Sequence, residues 1–434
     1  MTDKVIILAG GKGTRLNPLT QARPKPSVYI GGNKRFGEYV IDMGLGAGYA
    51  DFHMVLEHMG DGIEKNFRDG SDFRYMVENQ HVPIRIKYVR ALEGKESKGT
   101  ADGLRLSRPY LADAITVKER TTGSTENVSL EDYRTGIGHF SRTGYVETYD
   151  AVVVLSGDHI SSLDLSELVR FHKQRGAFAS IGLIQADEDR IINELGIVGF
   201  EPKTGSVRDF REKPKTKEDV IYTTANTGIY VFDKSMMQWL DEHPEMLDFG
   251  KEVFPALMLD ESLKKDVKAL VLDGYWNDVG TIDEYRRTSM QLIDGIKGVD
   301  DKSHRLRVDE NSRVLGKMSR YSIGRGCYVG RNVEVTDSVF CNDIEIEDSP
   351  NSNAPSLIDR SILFHNVKVG GDVDLKGVIS DSDVTIESGA VIGEGVVIGK
   401  GTTIKKNANI GRNARIGMNC IITGTVVPDE TVTE

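Results

Sequence analysis

VTIESGAVIGEGVVIGKGTTIKKNANIGRNARIGMNCII, residues 384–422, decides how the C-terminal third of the chain folds. Ile386, Ile392, Ile398, Ile404, Ile410, Ile416 and Ile422 recur every six residues without a miss, and the position two before each is Val384, Ala390, Val396, Thr402, Ala408, Ala414 or Cys420. A period of six matches neither the helical turn of about 3.6 residues nor the two-residue alternation of a hairpin sheet. It matches a β-helix of hexapeptide repeats, where one large aliphatic side chain per face points into a continuous core. Ile323, Val329 and Val335 carry earlier traces of the rhythm, and SPNSNAPS at 349–356 interrupts it, which predicts a loop thrown out from one coil. Cys327 and Cys420 take the small inward position, so both are expected as buried hydrophobic residues.

Upstream the composition changes. Of the 31 Phe, Tyr and Trp residues, 27 lie in residues 1–300, and only Tyr321, Tyr328, Phe340 and Phe364 follow. The stretch IKGVDDKSHRLRVDENS at 296–312 is charged and lacks an apolar period. This divides the 434 residues into a domain at 1–296, a linker at 297–312 and a β-helix domain at 313–430. In the first part, β-branched runs such as VIIL (5–8) and AVVVL (151–155) alternate with helix-like stretches such as SELVRFHKQRG (166–176), the pattern of an α/β fold with a mainly parallel sheet. Both runs end in glycine-bearing polar turns, AGGKGTR and SGDHI. Ligands of open α/β sheets sit beyond the carboxyl ends of the strands, so these turns are the first places to look for chemistry.

The balance of 55 basic and 66 acidic residues, a net charge of −11, argues against nucleic acid or an anionic membrane as the main partner. An anionic ligand must then meet a local basic cluster. No apolar run approaches the ~20 residues that span a bilayer. The five-residue apolar stretch before Gly10 is shorter than a secretory core of ~7–15 residues. Three cysteines give neither a disulfide framework nor metal-binding spacing, which predicts a cytoplasmic protein with reduced thiols.

LAGGKGTRLNPLTQARPKP, residues 8–26, is the strongest local signal. Its glycines let backbone N–H groups approach a polyphosphate, and Arg15 and Lys25 supply positive charge. It is not a Walker loop, because Gly13 and not Ser or Thr follows Lys12, and it lacks the third glycine of a dinucleotide fingerprint. Asp158 in LSGDHI and Asp278 in GYWNDVGT each follow an apolar segment, as expected of carboxylates converging on Mg2+, which takes one or two carboxylates plus phosphates and waters. Alone, each is a weak signal, since a single aspartate at a strand end is more often a helix cap. In FREKPK (210–215), Lys213 precedes Pro214 and is expected to be extended, where it could hold a second phosphate while Glu212 accepts from sugar hydroxyls. By composition the same stretch is a solvated charge run.

Taken together, LAGGKGTRLNPLT, PKP, GTAD (99–102), SGDHI, REKP (211–214), NTGIYVFD (226–233), GYWNDVGTIDEY (274–285) and the hexapeptide region resemble the sugar-1-phosphate nucleotidylyltransferases. The resemblance implies a Rossmann-like α/β catalytic domain, a left-handed β-helix, and transfer of a nucleotidyl group from an NTP to a hexose 1-phosphate. Leu8, Gly10, Gly11, Gly13 and Thr14 would surround the nucleotide phosphates, Arg15 and Lys25 would neutralise them, and Asp158 and Asp278 would hold Mg2+. Lys213 would grip the sugar phosphate, Glu212 and Asn226 the sugar hydroxyls, and Gly99 and Thr100 the base and ribose. A phosphate monoester is already mostly dianionic at pH 7, so no general base is required. SGDHI, GTAD, DFGKE (248–252), GYWNDVGT and RSILFHNVKV (360–369) are most like glucose-1-phosphate adenylyltransferases, which implies ADP-glucose synthesis for glycogen by a homo-oligomer, dimer or tetramer. Glu57 stands where those enzymes tend to have glutamine in the base pocket, and a carboxylate is acceptor-only. With Asn226-Thr227-Gly228 and KEVFP (251–255), it keeps mannose-1-phosphate guanylyltransferase, a GDP-mannose synthase, as the alternative. A non-catalytic regulatory subunit would usually lose a phosphate or metal ligand, whereas Arg15, Lys25, Asp158, Lys213 and Asp278 are all present. An acyltransferase site in the β-helix would need a basic histidine, and only His365 lies in the repeats. Residues 114–149 match nothing in the family and are expected to form an ordered surface excursion at the active-site rim.

Overall fold

The computed structural model describes residues 3–57, 59–71, 75–77, 80–90, 97–135, 140–299, 311–350 and 355–433. Most of the expected linker (300–310) and the centre of the expected loop (351–354) lie outside the described residues. VIIL and AVVVL form two neighbouring strands, β1 (Lys4–Leu8) and β4 (Ala151–Ser156), with β2 (Asp51–Val55) and β3 (Arg85–Val89) completing a parallel centre in the order β3-β2-β1-β4. Beyond β4 the sheet becomes mixed. The long β8 (Thr224–Asp233) runs antiparallel to β4 and to β5 (Ala179–Gln185), and β9 (Val267–Val271) returns parallel to β5. On a separate branch, β6 (Ile197–Phe200) pairs antiparallel with β8 and with β7 (Val207–Arg211).

The runs are apolar throughout because both faces of the sheet are covered. Val5, Ile7, Val153 and Leu155 face the helices Phe36–Gly46, Gly60–Phe67 and Leu165–Arg175 through Ile41, Phe67 and Leu168. Ile6, Val152 and Val154 face the opposite layer, where Thr100–Leu111, Ser235–Glu242 and Phe254–Leu259 contribute Leu104, Met236 and Phe254. In the segment at 114–149 the described residues 114–135 and 140–149 form ordered elements, and 136–139 lie outside the described residues. Ala114–Glu119 lies between Thr125–Val128 and Phe140–Val146 in an antiparallel sheet, and Ile115 and Val117 pack with Tyr133 of the short helix Leu130–Thr135.

The hexapeptide region is a parallel β-helix whose short strands stack into three ladders. In the first, Ile346, Val369, Ile386, Ile404 and Ile422 are successive register partners, so the regular coils contain three hexads. Val384, Ala390, Val396, Thr402, Ala408, Ala414 and Cys420 are all buried, as their spacing requires. Asp343, Asn366, Asp383, Gly401 and Asn419 turn corners at positive φ, where glycine is unstrained and Asn and Asp are the best-tolerated alternatives. Cys327, Cys341 and Cys420 are buried and unbridged. Among the described residues no helix is long and apolar enough to cross a membrane.

By contacts the chain groups into two compact units. One comprises residues 1–10, 40–157 and 161–276 and contains the sheet; the other comprises residues 11–39, 158–160 and 277–434 and contains the β-helix.

Candidate active site

The second unit holds residues 11–26 of the glycine loop and both aspartates. Gly13 adopts φ 61, which glycine accepts without strain, and its carbonyl receives Leu16 N–H at 2.9 Å and the Thr20 hydroxyl at 2.9 Å. This closes the turn Thr14–Leu16 and leaves Gly11, Thr14 and Arg15 exposed. Lys25 is 6% exposed, and its ammonium donates to Asp158 at 2.8 Å and Asp278 at 3.2 Å, whose side chains are 32% and 38% exposed. Burial pulls the lysine pKa down, but the two carboxylates more than offset it and hold it above its ordinary value. Lys25 is therefore a fixed cation shared by two partly exposed aspartates. His159, next in sequence to Asp158, is pushed by burial down to about 4 and is neutral at pH 7.

Gly280 explains part of the GYWNDVGT motif. A Cβ there would come within 2.8 Å of Arg15 Nη2, so the glycine lets the guanidinium lie against the backbone, and a side chain there would displace it. Thr281 then caps the helix Ile282–Asp294 by accepting from Glu284 N–H at 3.3 Å, and Asn277 donates to Thr288 at 2.7 Å, anchoring the chain beside Asp278. Two hard carboxylates, each partly open to solvent, suit a Mg2+ ion whose other ligands come from phosphate and water. No group of three or more His, Cys, Asp or Glu side chains among the described residues forms an alternative metal centre.

The first unit holds the remaining candidates. The Glu57 carboxylate lies directly against Gly10, leaving no room for a Cβ, while Leu8 ends β1 half-buried. Gly99 lies against the Leu247 carbonyl, where a Cβ would approach to 2.5 Å. That carbonyl accepts from Ala101 and Asp102 N–H at 2.8 and 3.1 Å, so it caps the helix Thr100–Leu111. The Thr100 hydroxyl accepts from Phe249 N–H at 3.0 Å and donates to Asp248 at 3.3 Å.

Glu212 follows β7 and is cradled by two glycines: a Cβ on Gly250 would reach within 2.5 Å of its Oε2, and one on Gly196 within 2.8 Å. Burial raises its pKa, with Lys213 acting in the opposite direction. Asn226 donates to the Tyr230 hydroxyl at 2.8 Å and accepts from Gly228 N–H at 3.0 Å, which fixes its amide. Lys213 differs from expectation. It is not extended but has φ 47, in the left-handed region. The preference of a residue before proline is local, and it yields here to a turn in which Asn193 N–H bonds the Pro214 carbonyl at 2.9 Å. Strain of this kind persists where the surroundings over-determine the backbone, and it gathers at functional sites. Asp248 and Lys251 act electrostatically on Glu212; DFGKE contains both, and its density of charge and glycine was the available signal.

A glycine loop beyond a parallel strand, a buried lysine shared by two aspartates and a C-terminal β-helix describe an α/β transferase built to handle phosphates. Comparison with known proteins bears this out. The family model described as nucleotidyl transferase matches residues 4–117 and 140–295, and two hexapeptide models, bacterial transferase hexapeptide (six repeats) and GlmU-like C-terminal hexapeptide, match residues 389–424 and 305–398. The chain belongs to the nucleotidyl transferase family, and its hexapeptide domain is a β-helix of the left-handed kind. Among similar curated proteins, the glucose-1-phosphate adenylyltransferase of Actinobacillus succinogenes is 24% identical, over 88% of this chain and 86% of that protein. Those of Mycoplasma mobile (27%; 84% and 82%) and Mannheimia succiniciproducens (26%; 88% and 85%) are comparable. The family match skips residues 118–139, most of which belong to the extra sheet and its helix.

Proposed function

We propose that this chain makes ADP-glucose and pyrophosphate from ATP and glucose 1-phosphate. The observation that carries the reading is the buried Lys25 ammonium held by Asp158 and Asp278 in a nucleotidyl transferase fold. A phosphate oxygen of the sugar phosphate attacks the α-phosphorus in line; the new P–O bond forms as the bond to the β-phosphate bridge breaks, and pyrophosphate leaves with its electrons. Arg15 and Lys25 balance the nucleotide charge, Lys213 holds the sugar phosphate, and Glu212 and Asn226 accept from sugar hydroxyls. Leu8, Gly10, Gly11, Gly13 and Thr14 bound the nucleotide, with Glu57, Gly99 and Thr100 toward the base and ribose. Catalysis then consists of holding two anions together and stabilising spread negative charge. Asp158 and Asp278 would hold Mg2+, which supplies further charge neutralisation on the phosphates when bound.

Three buried thiols without a bridge fit a reducing compartment, and the reading is of a cytoplasmic homo-oligomer. The test is pyrophosphate release measured for ATP, GTP, UTP and dTTP crossed with glucose 1-phosphate and mannose 1-phosphate. ATP with glucose 1-phosphate is expected to be fastest; silence with every pair overturns the reading. A second reading, GDP-mannose synthesis, is favoured by Glu57, whose two acceptor oxygens match the N–H edge of guanine. The same assay separates the two, and Glu57→Gln is expected to shift the ATP/GTP ratio.

A further inference from the structure

We infer that Arg105 is a positioning residue for the sugar-phosphate half of the site, acting through the segment 243–252. The inference rests on the assignment of Glu212 and Asn226 to the sugar phosphate. Arg105 lies on the helix Thr100–Leu111, is 14% exposed, and uses four of its five N–H donors at once. Nε donates to the Leu240 carbonyl at 2.9 Å, Nη2 to the carbonyls of His243 at 3.1 Å and Met246 at 2.6 Å, and Nη1 to Asp102 at 2.5 Å. Asp102 is itself fixed by Lys98 N–H at 2.9 Å. One guanidinium thus gathers three carbonyls from the end of the helix Ser235–Glu242 and the loop after it. A lysine, with a single compact ammonium, cannot reproduce that fork.

The clamp continues toward the site. Met246 is followed by Leu247, whose carbonyl caps the helix bearing Arg105, and by Asp248, which accepts from Gly250 and Lys251 N–H at 3.0 Å each. Glu252 turns back to accept from Asp248 N–H at 3.0 Å and from Leu247 N–H. Two consequences reach the sugar-phosphate residues. Gly250 is held against the Glu212 carboxylate, and Phe249 is packed 5.2 Å from the ring of Tyr230, whose hydroxyl fixes Asn226. Arg105 touches neither Glu212 nor Asn226, so its effect on them runs through the loop it holds.

The test uses Arg105→Ala and Arg105→Lys in the full chain, with Asp102→Asn as a milder variant that keeps the arginine. Both arginine variants are expected to raise KM for the sugar phosphate about tenfold, to raise nucleotide KM less because Leu247 and Phe249 also contact Gly99 and Thr100, and to speed amide hydrogen exchange at 243–252. Millimolar guanidinium ion is expected to recover part of the loss in Arg105→Ala and none in Arg105→Lys. Equal rises in both KM values, full activity in Arg105→Lys, or unchanged exchange at 243–252 overturns the inference. Should the unmodified chain release no pyrophosphate from any substrate pair, the functional reading fails, and the exchange measurement still decides whether Arg105 holds the loop.

Discussion

Lys25 is a buried cation shared by two carboxylates in a chain of net charge −11. Its ammonium is almost fully buried, yet the two carboxylates hold its pKa above the ordinary 10.5. Replacing it by methionine removes the ammonium that Asp158 and Asp278 share, and kcat for pyrophosphate release is expected to fall at least ~100-fold. A raised lysine pKa contributes stability that is complete below the unfolded value and is lost as pH rises through the folded one. Lys25→Met is therefore expected to melt below wild type at pH 8, with the gap closing above pH ~10.5; a gap that persists there removes the ion pairs from the account. Glu212 has the opposite sign. Burial raises its pKa, so the ionised form opposes folding at neutral pH and the protonated form does not. Glu212→Gln is expected to raise Tm by a few degrees at pH 7, to lose that advantage by pH 4, and to weaken sugar-phosphate binding. Thermal melts at the two pH values check it, and an unchanged Tm at pH 7 counts against a buried carboxylate. In the sequence Lys25 is legible as a cation of the segment after β1, and Asp158 and Asp278 as carboxylates that follow apolar segments. The left-handed turn at Lys213 is not, because the sequence rule for residues before proline carries no information about the distant Asn193 N–H that bonds the Pro214 carbonyl.

At the scale of the element, one hexad position has two fates in the β-helix. Outward-pointing Val339, Ile362, Ile379 and Val397 belong to one ladder and are all 0–1% exposed, whereas outward-pointing Val391 on another ladder is 59% exposed. The first ladder is covered from outside and the second is not. Val397→Asp is expected to cost about 2–3 kcal/mol or more by burying an unpaired carboxylate, while Val391→Asp stays within about 0.5 kcal/mol. Denaturant melts of the pair decide this; equal costs would mean that both ladders face water. The six-residue period announced the fold because only the inward position must be aliphatic. Adjacent apolar pairs such as Val339-Phe340, Ile362-Leu363 and Val397-Ile398 marked the covered face, a signal the period alone does not isolate. The Asn, Asp and Gly residues at the corners repeat at the same spacing and would have located each turn.

At the scale of the molecule, the β-helix shares a compact unit with the phosphate loop, Lys25 and both aspartates. The aromatic boundary near residue 300 is a compositional signal and carries no information about this grouping, to which contacts more than 300 residues apart contribute. Arg23, two residues before Lys25, forms an ion pair of 2.8 Å with fully buried Asp381 in the β-helix. Tyr29 packs edge-on against Phe364 and His365 with ring centroids 5.7 and 4.4 Å away, Asn33 donates to Asn342 at 2.9 Å, and Cys341 donates to the Gly32 carbonyl at 3.1 Å. His365 is thus a packing residue, and it accepts Asn342 N–H at 3.2 Å. The segment carrying Lys25 has little regular structure of its own and rests on these contacts. Asp381→Ala strands Arg23 in a buried site and is expected to cost about 3–5 kcal/mol, whereas Arg23→Met with Asp381→Leu recovers much of that loss. A chain truncated after residue 299 removes every one of these partners. It is expected to retain the sheet by circular dichroism, to be cleaved within residues 11–39 by limited proteolysis, and to release no measurable pyrophosphate. Wild-type kcat in the truncated chain would show that the loop is positioned from the α/β side alone, and the β-helix would then have no part in holding Lys25 between its aspartates.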